Sequence, residues 1–140
     1  GTDGRNFIEN VYNYLRNNHI SPLPFDAVAG HPYTGVDIDE SGITGLRSMM
    51  SSFGDTYKPI WLTEYGWDVG SVGESNQSTY LQDSLNWLTN PAYNYVTSAS
   101  YNLLSDLITM TGLHQLGLCR TDLSARQAYG TFSAYSKPTT

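Results

Sequence analysis

The stretch "KPIWLTEYGWDVG", residues 58–70, decides the fold class of this 140-residue chain. Its first part, 59–63, is an apolar run typical of a strand buried on both faces, and Pro59 is tolerated because it opens the strand. A carboxylate, Glu64, follows at once among aromatic residues, with Gly66 two positions later. Buried strands of this kind belong to sheets covered by helices, so the stretch predicts a parallel sheet with a charged group at its rim.

The elements on either side of this stretch alternate in type. Apolar residues recur at helical spacing over 4–18, 42–53, 80–88 and 125–135, the last with Ser124 as candidate N-cap. Short apolar runs rich in strand formers predict two further strands, over 25–30 and 95–104. The order is therefore α-βα-βα-βα, which predicts an α/β fold with parallel strands joined by crossover helices.

Composition narrows the possible partners. The chain has 7 Lys and Arg against 13 Asp and Glu, a net charge of −6, and a pI near 4.7. Nucleic-acid binding needs clustered cations, and the basic residues here are scattered, so we expect no nucleic-acid partner. No apolar run approaches the roughly 20 residues of a membrane span, so we expect no membrane partner. Eleven tyrosines and three tryptophans suit a neutral polar ligand such as a sugar, although an acidic balance also serves solubility alone.

Cofactor chemistry lacks its usual signatures in this sequence. Cys119 is the single cysteine, so it forms no intrachain disulfide and no Cys-based metal site. The motifs of phosphate-binding loops, zinc proteases and serine hydrolases are missing as well. We therefore expect neither a cofactor nor a metal.

Polar and aromatic residues gather where the predicted strands end. They are His31 and Tyr33 after the first strand, Glu64, Trp67 and Asp68 after the second, and Tyr101, Asn102 and Asp106 after the third. Ligands of parallel α/β proteins bind at the carboxyl ends of the strands, so we expect these side chains to meet at one rim.

Glu64 is the strongest candidate for chemistry. A partly desolvated carboxylate at a rim can act as a nucleophile or a general base if hydrogen bonds position it, and the Tyr33 hydroxyl is a candidate to do so. Trp67 would offer a flat apolar face to a sugar ring. Plain structural roles stay open: Glu64 as a solvated loop residue, His31 as a neutral turn residue and Tyr33 as packing. Further along, Arg120 and Asp122 suggest a simple surface pair.

Three segments in this order resemble one family. The segment "PIWLTEYGW" (59–67) resembles the seventh-strand motif of clan A glycoside hydrolases, which are (β/α)8-barrel enzymes. "FDAVAGHPY" (25–33) resembles their sixth strand, and "GLCRTDLSARQAYGTFSAY" (117–135) resembles the stretch that leads into their eighth helix. The resemblance implies a partial TIM barrel, strands six to eight, with residues 1–140 as a single C-terminal portion of the catalytic domain.

The resemblance also implies a site and a reaction. In that clan the glutamate that ends strand seven is the catalytic nucleophile, here Glu64, and the clan hydrolyses O-glycosidic bonds of poly- or oligosaccharides with retention. The implied substrate-binding residues are His31, Tyr33, Trp67, Tyr101 and Asn102. A secreted or extracellular protein is expected.

Two departures from the clan's pattern limit what the chain can do alone. Where the clan often has a tryptophan at the end of strand eight, this sequence has Tyr101 and Asn102. The clan's acid/base glutamate follows an asparagine on strand four, and this sequence has no Asn-Glu pair. We therefore expect a missing N-terminal half of the barrel, or a partner chain that supplies it, and an inactive chain in isolation. The alternatives are a non-catalytic carbohydrate-binding half-barrel and an unrelated small α/β domain.

Overall fold

The chain folds as helices packed on a three-stranded sheet, with a separate hairpin. A computed structural model describes residues 2–110 and 112–135. The helices are α1 (Thr2–Asn17), α2 (Glu40–Ser52), α3 (Val69–Val72), α4 (Glu74–Leu88) and α5 (Gln127–Ala134), with a short 3-10 helix over Pro91–Tyr93. The strands are β1 (Val28–Gly30), β2 (Ile60–Tyr65), β3 (Val96–Tyr101), β4 (Leu107–Thr109) and β5 (Gly112–His114).

The sheet is parallel and has the order β1-β2-β3, with β2 in the middle. Helices separate the three strands along the chain, as parallel pairing requires. This confirms the predicted α/β class and its parallel strands. Because the strands run in one direction, their carboxyl ends lie at the same edge of the sheet.

Helices cover one face of the central strand. Ile60 and Leu62 on that face are 0% and 1% exposed, and they join a core with residues from α1, α2 and α4, among them Tyr12, Ile43, Met50 and Leu81. The opposite face carries Trp61 and Thr63, which are exposed. The prediction that this strand is buried on both faces is therefore wrong for the described residues. None of the helices in the described ranges is long and apolar enough to cross a membrane.

A one-residue bulge in β2 turns Glu64 away from the core. Leu62 pairs with Ala99 and Tyr65 pairs with Tyr101, so three steps along β2 correspond to two along β3. An extra residue of this kind reverses the alternation of faces. Tyr65 thereby follows Leu62 into the core, at 2% exposure. The side chain of Glu64 is left 46% exposed, on the side away from the core.

The structure corrects several predicted boundaries. β1 is shorter than the predicted 25–30, and β3 ends at Tyr101 instead of residue 104. α4 begins at Glu74 rather than near residue 80. α5 begins at Gln127, and its N-cap is Arg126 rather than Ser124. The antiparallel hairpin of β4 and β5 lies in a segment that carried no prediction. It presents apolar side chains to solvent, including Ile108 at 72% exposure.

A buried ion pair closes the segment between β3 and α5. Arg126 is 6% exposed, and its Nη2 and Nη1 lie 2.5 Å from Asp106 Oδ2 and 2.5 Å from Glu74 Oε1. Arg120 pairs with the same Glu74 oxygen. The predicted contact pair with Asp122 does not form, although the hydrogen bonds of Asp122 and the charge of Arg120 both lower the pKa of that carboxylate. Asp122 instead accepts a hydrogen bond from the backbone two residues later. Asp106, which was predicted at the rim, is instead buried in its ion pair with Arg126.

Candidate active site

The carboxylate of Glu64 lies beside the two polar residues that follow β1. The Tyr33 hydroxyl donates to Glu64 Oε2 at 3.1 Å, and His31 Nδ1 lies 3.8 Å from the same oxygen. The pairing of β1 with β2 explains this meeting, because Gly30 is in register with Leu62 and the residues after it pass the end of β2. The structure thus brings together three residues that the sequence placed at one rim.

Asn102 joins this group from the third strand. Its Nδ2 donates to the Tyr33 hydroxyl oxygen at 2.5 Å, so a chain of two hydrogen bonds runs from Asn102 through Tyr33 to Glu64. The backbone of Asn102 is held as well, since its N–H donates to the Tyr65 carbonyl at 2.7 Å. The ends of all three parallel strands therefore contribute to one cluster around Glu64.

His31 is oriented by a residue that the sequence did not single out. Its Nε2 lies 2.9 Å from Thr63 Oγ1, which directs the other ring nitrogen, Nδ1, toward Glu64. Thr63 is the residue before Glu64 on the same strand, and the alternation of faces alone gave no reason to expect both side chains on the open side. The bulge accounts for it.

The surroundings of Tyr33 in the cluster raise the pKa of its hydroxyl. Burial raises the pKa of the Tyr33 hydroxyl, the hydrogen bond from Asn102 lowers it, and the hydrogen bond to Glu64 raises it. A phenol beside a carboxylate keeps its proton because ionisation would place two negative charges in contact. Tyr33 is therefore a stable hydrogen-bond donor to Glu64.

Trp67 and Tyr101 do not face the open side of the cluster. Trp67 is 3% exposed, and its ring packs against Tyr65, Tyr80 and Tyr101 at centroid distances of 6.0, 5.7 and 6.4 Å. The Tyr101 hydroxyl is shielded from solvent, and burial raises its pKa. The stacking face predicted for Trp67 is therefore closed in this structure, because the chain turns inward after the bulge. Of the three tryptophans, which all lie within the described residues, Trp61 on β2 is the exposed one, at 45%.

Asp68, the remaining acidic residue at this rim, has a structural role. Its carboxylate accepts hydrogen bonds from the backbone N–H groups of Ser71 at 3.2 Å and Gln115 at 3.0 Å. It thereby caps α3 and ties that helix to the segment after β5. Within residues 2–110 and 112–135, no three or more His, Cys, Asp or Glu side chains are grouped as a metal ion would need.

The sequence matches a known family over most of its length. Residues 4–124 match the family model described as glycosyl hydrolase catalytic core. This match covers well over half of the 140 residues, so the chain belongs to that family. A search of curated proteins finds no match.

Several solved glycosidases share the fold over part of their length. A β-glucuronidase from Ruminococcus gnavus in complex with D-glucuronic acid aligns with a TM-score of 0.57 and 19% identity, over 76% of this chain and 22% of its own. A family 39 glycoside hydrolase from the gut symbiont Bacteroides cellulosilyticus WH2 aligns with a TM-score of 0.55 and 19% identity, over 74% of this chain and 25% of its own. A Faecalibacterium prausnitzii β-glucuronidase aligns with a TM-score of 0.56 and 15% identity, over 89% and 24%.

These likenesses define the fold. The neighbours are TIM-barrel glycosidases, so the chain has the fold of part of a (β/α)8 barrel, and the resemblance to clan A glycoside hydrolases is confirmed. The chain spans a quarter or less of the length of each of these three relatives.

Proposed function

We propose that this chain supplies the nucleophile of a retaining glycoside hydrolase, and that the nucleophile is Glu64. The observation that carries the proposal is the geometry of its carboxylate. Glu64 sits at the carboxyl end of a central parallel strand, half-exposed, with Oε2 held by Tyr33 at 3.1 Å. Family membership supports the same role. A positioned carboxylate in an accessible place is what formation of a covalent glycosyl intermediate needs.

The proposed reaction has two displacements. In the first, a Glu64 oxygen bonds to the anomeric carbon as the bond to the leaving oxygen breaks, and a second carboxylic acid protonates that oxygen. In the second, the same acid, now a base, takes a proton from water, and the water oxygen displaces Glu64. The sugar keeps its anomeric configuration because it is inverted twice. The two carboxyl groups must lie about 5–5.5 Å apart.

We propose that the second carboxylate comes from outside this chain, because the sequence has no Asn-Glu pair like the one that carries the clan's acid/base glutamate. Asp68, Asp106, Glu74 and Asp55 are tied into backbone contacts, ion pairs or a hydrogen bond with Tyr12. We therefore propose that residues 1–140 form the C-terminal portion of a barrel, completed by an N-terminal half or by a partner chain. The chain in isolation is then expected to hydrolyse no glycoside.

The proposed substrate is an O-glycoside of a poly- or oligosaccharide. The neighbours described as β-glucuronidases make an aryl β-glucuronide the first substrate to try, followed by aryl β-xylosides, β-glucosides and β-mannosides. A secreted or extracellular location is part of the proposal, because a polysaccharide that is too large to enter a cell has to be cleaved outside it.

The test compares Glu64→Gln with a matched control, Glu9→Gln, in the full-length protein. Glu9 is exposed on α1, so its amide should leave turnover unchanged. Loss of the nucleophile should lower kcat on the order of 10⁴-fold or more. Glu64→Ala should regain turnover with added azide, which takes the place of the carboxylate and gives a glycosyl azide of inverted configuration, identified by NMR.

Two outcomes count against the proposal. Normal turnover in Glu64→Gln would remove Glu64 from the reaction. Sugar binding that is equal in the parent protein and in Glu64→Gln, without hydrolysis by either, would favour the non-catalytic carbohydrate-binding half-barrel.

A further inference from the structure

We propose that Asn102 is a positioning residue, which fixes the direction of the Tyr33 proton and thereby determines which Glu64 oxygen is free to react. The inference rests on the proposed function for the role of Glu64. It replaces the substrate-binding role that the sequence suggested for Asn102, because the amide nitrogen of that side chain is already committed to Tyr33.

The direction of the two hydrogen bonds follows from the chemistry of the groups. An ionised carboxylate only accepts hydrogen bonds, so the Tyr33 hydroxyl must donate its single proton to Glu64 Oε2. The second partner of that hydroxyl must then be a donor. Of the two ends of the Asn102 amide only the nitrogen donates, and Nδ2 lies 2.5 Å from Tyr33 Oη. The amide thus occupies a lone pair of Tyr33 and keeps the phenol proton pointed at Glu64.

The two oxygens of Glu64 are left in different environments. Oε2 accepts from Tyr33 and has His31 Nδ1 at 3.8 Å, whereas no side chain or backbone group of the described residues donates a hydrogen bond to Oε1. A hydrogen bond from a donor withdraws electron density from the oxygen that accepts it. Oε1 is therefore the oxygen that the arrangement leaves free to attack the anomeric carbon.

The backbone holds Asn102 in place without help from its side chain. Its N–H donates to the Tyr65 carbonyl at 2.7 Å, and the two residues after it accept backbone hydrogen bonds from Leu118 and Cys119 at 3.0 and 2.8 Å. Its carbonyl also comes so close to Gly66 that a Cβ there would lie 2.5 Å from the oxygen. The side chain can therefore be changed while the backbone that presents it is retained.

Two substitutions separate a positioning role from a packing role. Asn102→Asp keeps the shape but replaces the donor by an acceptor that competes with Glu64 for the Tyr33 proton. Asn102→Ala removes the donor and adds no competitor. A positioning role predicts that the aspartate is the more damaging change, whereas a packing role predicts the reverse.

The first readout is the pKa of Tyr33. It is measured by NMR titration of the full-length protein labelled with 13Cζ-tyrosine, and the Tyr33→Phe variant assigns the resonance. Both Asn102 variants should raise the pKa of Tyr33, the aspartate further than the alanine, and Glu64→Gln should lower it. Glu64 and His31 are the titratable side chains that face Tyr33 from β2 and from the segment after β1. Asn94→Asp is the matched control: Asn94 is exposed and precedes β3, whereas the cluster lies at the other end of that strand, so this pKa should stay unchanged.

The second readout is kinetic. Asn102→Asp should lower kcat about 10²-fold with little change in KM, the size expected when a reacting group loses its alignment. A raised KM with unchanged kcat would overturn the proposal, because it would assign Asn102 to substrate binding. An unchanged Tyr33 pKa in both variants would overturn it too. If the parent protein hydrolyses no glycoside, the proposed function fails, and the Tyr33 titration alone decides the role of Asn102.

Discussion

At the scale of single residues, Gly66 sets how closely the end of β3 approaches Glu64. A Cβ at this position would lie 2.5 Å from the Asn102 carbonyl oxygen, which is backbone and has little freedom to yield. Gly66→Ala should therefore push the Asn102 segment outward and lengthen its hydrogen bond to Tyr33. Forcing extra volume into such a contact typically costs about 1–3 kcal/mol of unfolding free energy.

The matched control for this substitution is Gly35→Ala. A Cβ there meets nothing within 4 Å, so its effect on stability should be close to zero or slightly favourable, because alanine restricts the unfolded chain. Urea unfolding of both variants measures the difference. Equal midpoints would show that the Asn102 backbone moves freely and that the close approach to Gly66 does not hold the cluster in place.

The residues of the cluster differ in how far the sequence could place them. His31, Tyr33 and Glu64 follow neighbouring parallel strands, so their meeting follows from topology alone. Trp67 follows the same strand, yet it turned out to be buried, since the bulge before Tyr65 decides which side chains enter the core. A bulge depends on pairing with a distant strand, and no local pattern in the sequence encodes it.

At the scale of elements, the ion pair between Asp106 and Arg126 fastens the β3–α5 segment to the helices. Both side chains are nearly inaccessible, at 3% and 4% exposure. Asp106→Asn leaves the buried guanidinium with less compensation and should cost about 3–5 kcal/mol of stability, the range for breaking a buried pair from one side. Chemical denaturation followed by circular dichroism measures the loss.

A substitution in the exposed ion pair of Arg120 with Glu74 should cost less stability. Arg120→Met removes the pair of Arg120 with Glu74, in which the Arg120 side chain is 42% exposed, and solvent screens a pair of this kind. Its effect should stay within about 1 kcal/mol. If Arg120→Met lowered the free energy of unfolding as much as Asp106→Asn does, the exposed pair of Arg120 with Glu74 would contribute as much stability as the buried pair of Arg126 with Asp106, contrary to this prediction.

The secondary-structure elements that were not predicted, or were predicted with the wrong start, lack a long apolar pattern. β4 and β5 have three residues each and are held by pairing with one another, so neither shows a periodic pattern long enough to read. α4 begins well before its first apolar residues because its first turns are polar, and even Gln77, which is fully buried there, gives no apolar signal. The long helices α1 and α2 were found because their apolar residues recur over several turns.

At the scale of the whole molecule, the tyrosines that give the sequence its aromatic character are also part of its core. Burial raises the pKa of Tyr12, Tyr65 and Tyr101, and for Tyr12 the hydrogen bond to Asp55 raises it further. Tyr12 donates to Asp55 Oδ2 at 2.6 Å, with both residues almost fully buried. The folded protein therefore holds phenol protons that the unfolded chain releases near the ordinary pKa of 10.0.

This difference predicts a fall in stability under alkaline conditions. Below the unfolded pKa both states are protonated and the stabilisation is complete. Above about pH 10 the unfolded chain binds fewer protons than the folded one, so the free energy of unfolding decreases by up to about 1.4 kcal/mol per pH unit for each buried tyrosine.

Tyr12→Phe should make that decline shallower, whereas Tyr57→Phe, at a residue 78% exposed, should not. Urea unfolding followed by tryptophan fluorescence, at pH values from about 8 to about 11, measures both slopes. Parallel slopes in the two variants would contradict the assignment of Tyr12 as a proton-retaining core residue.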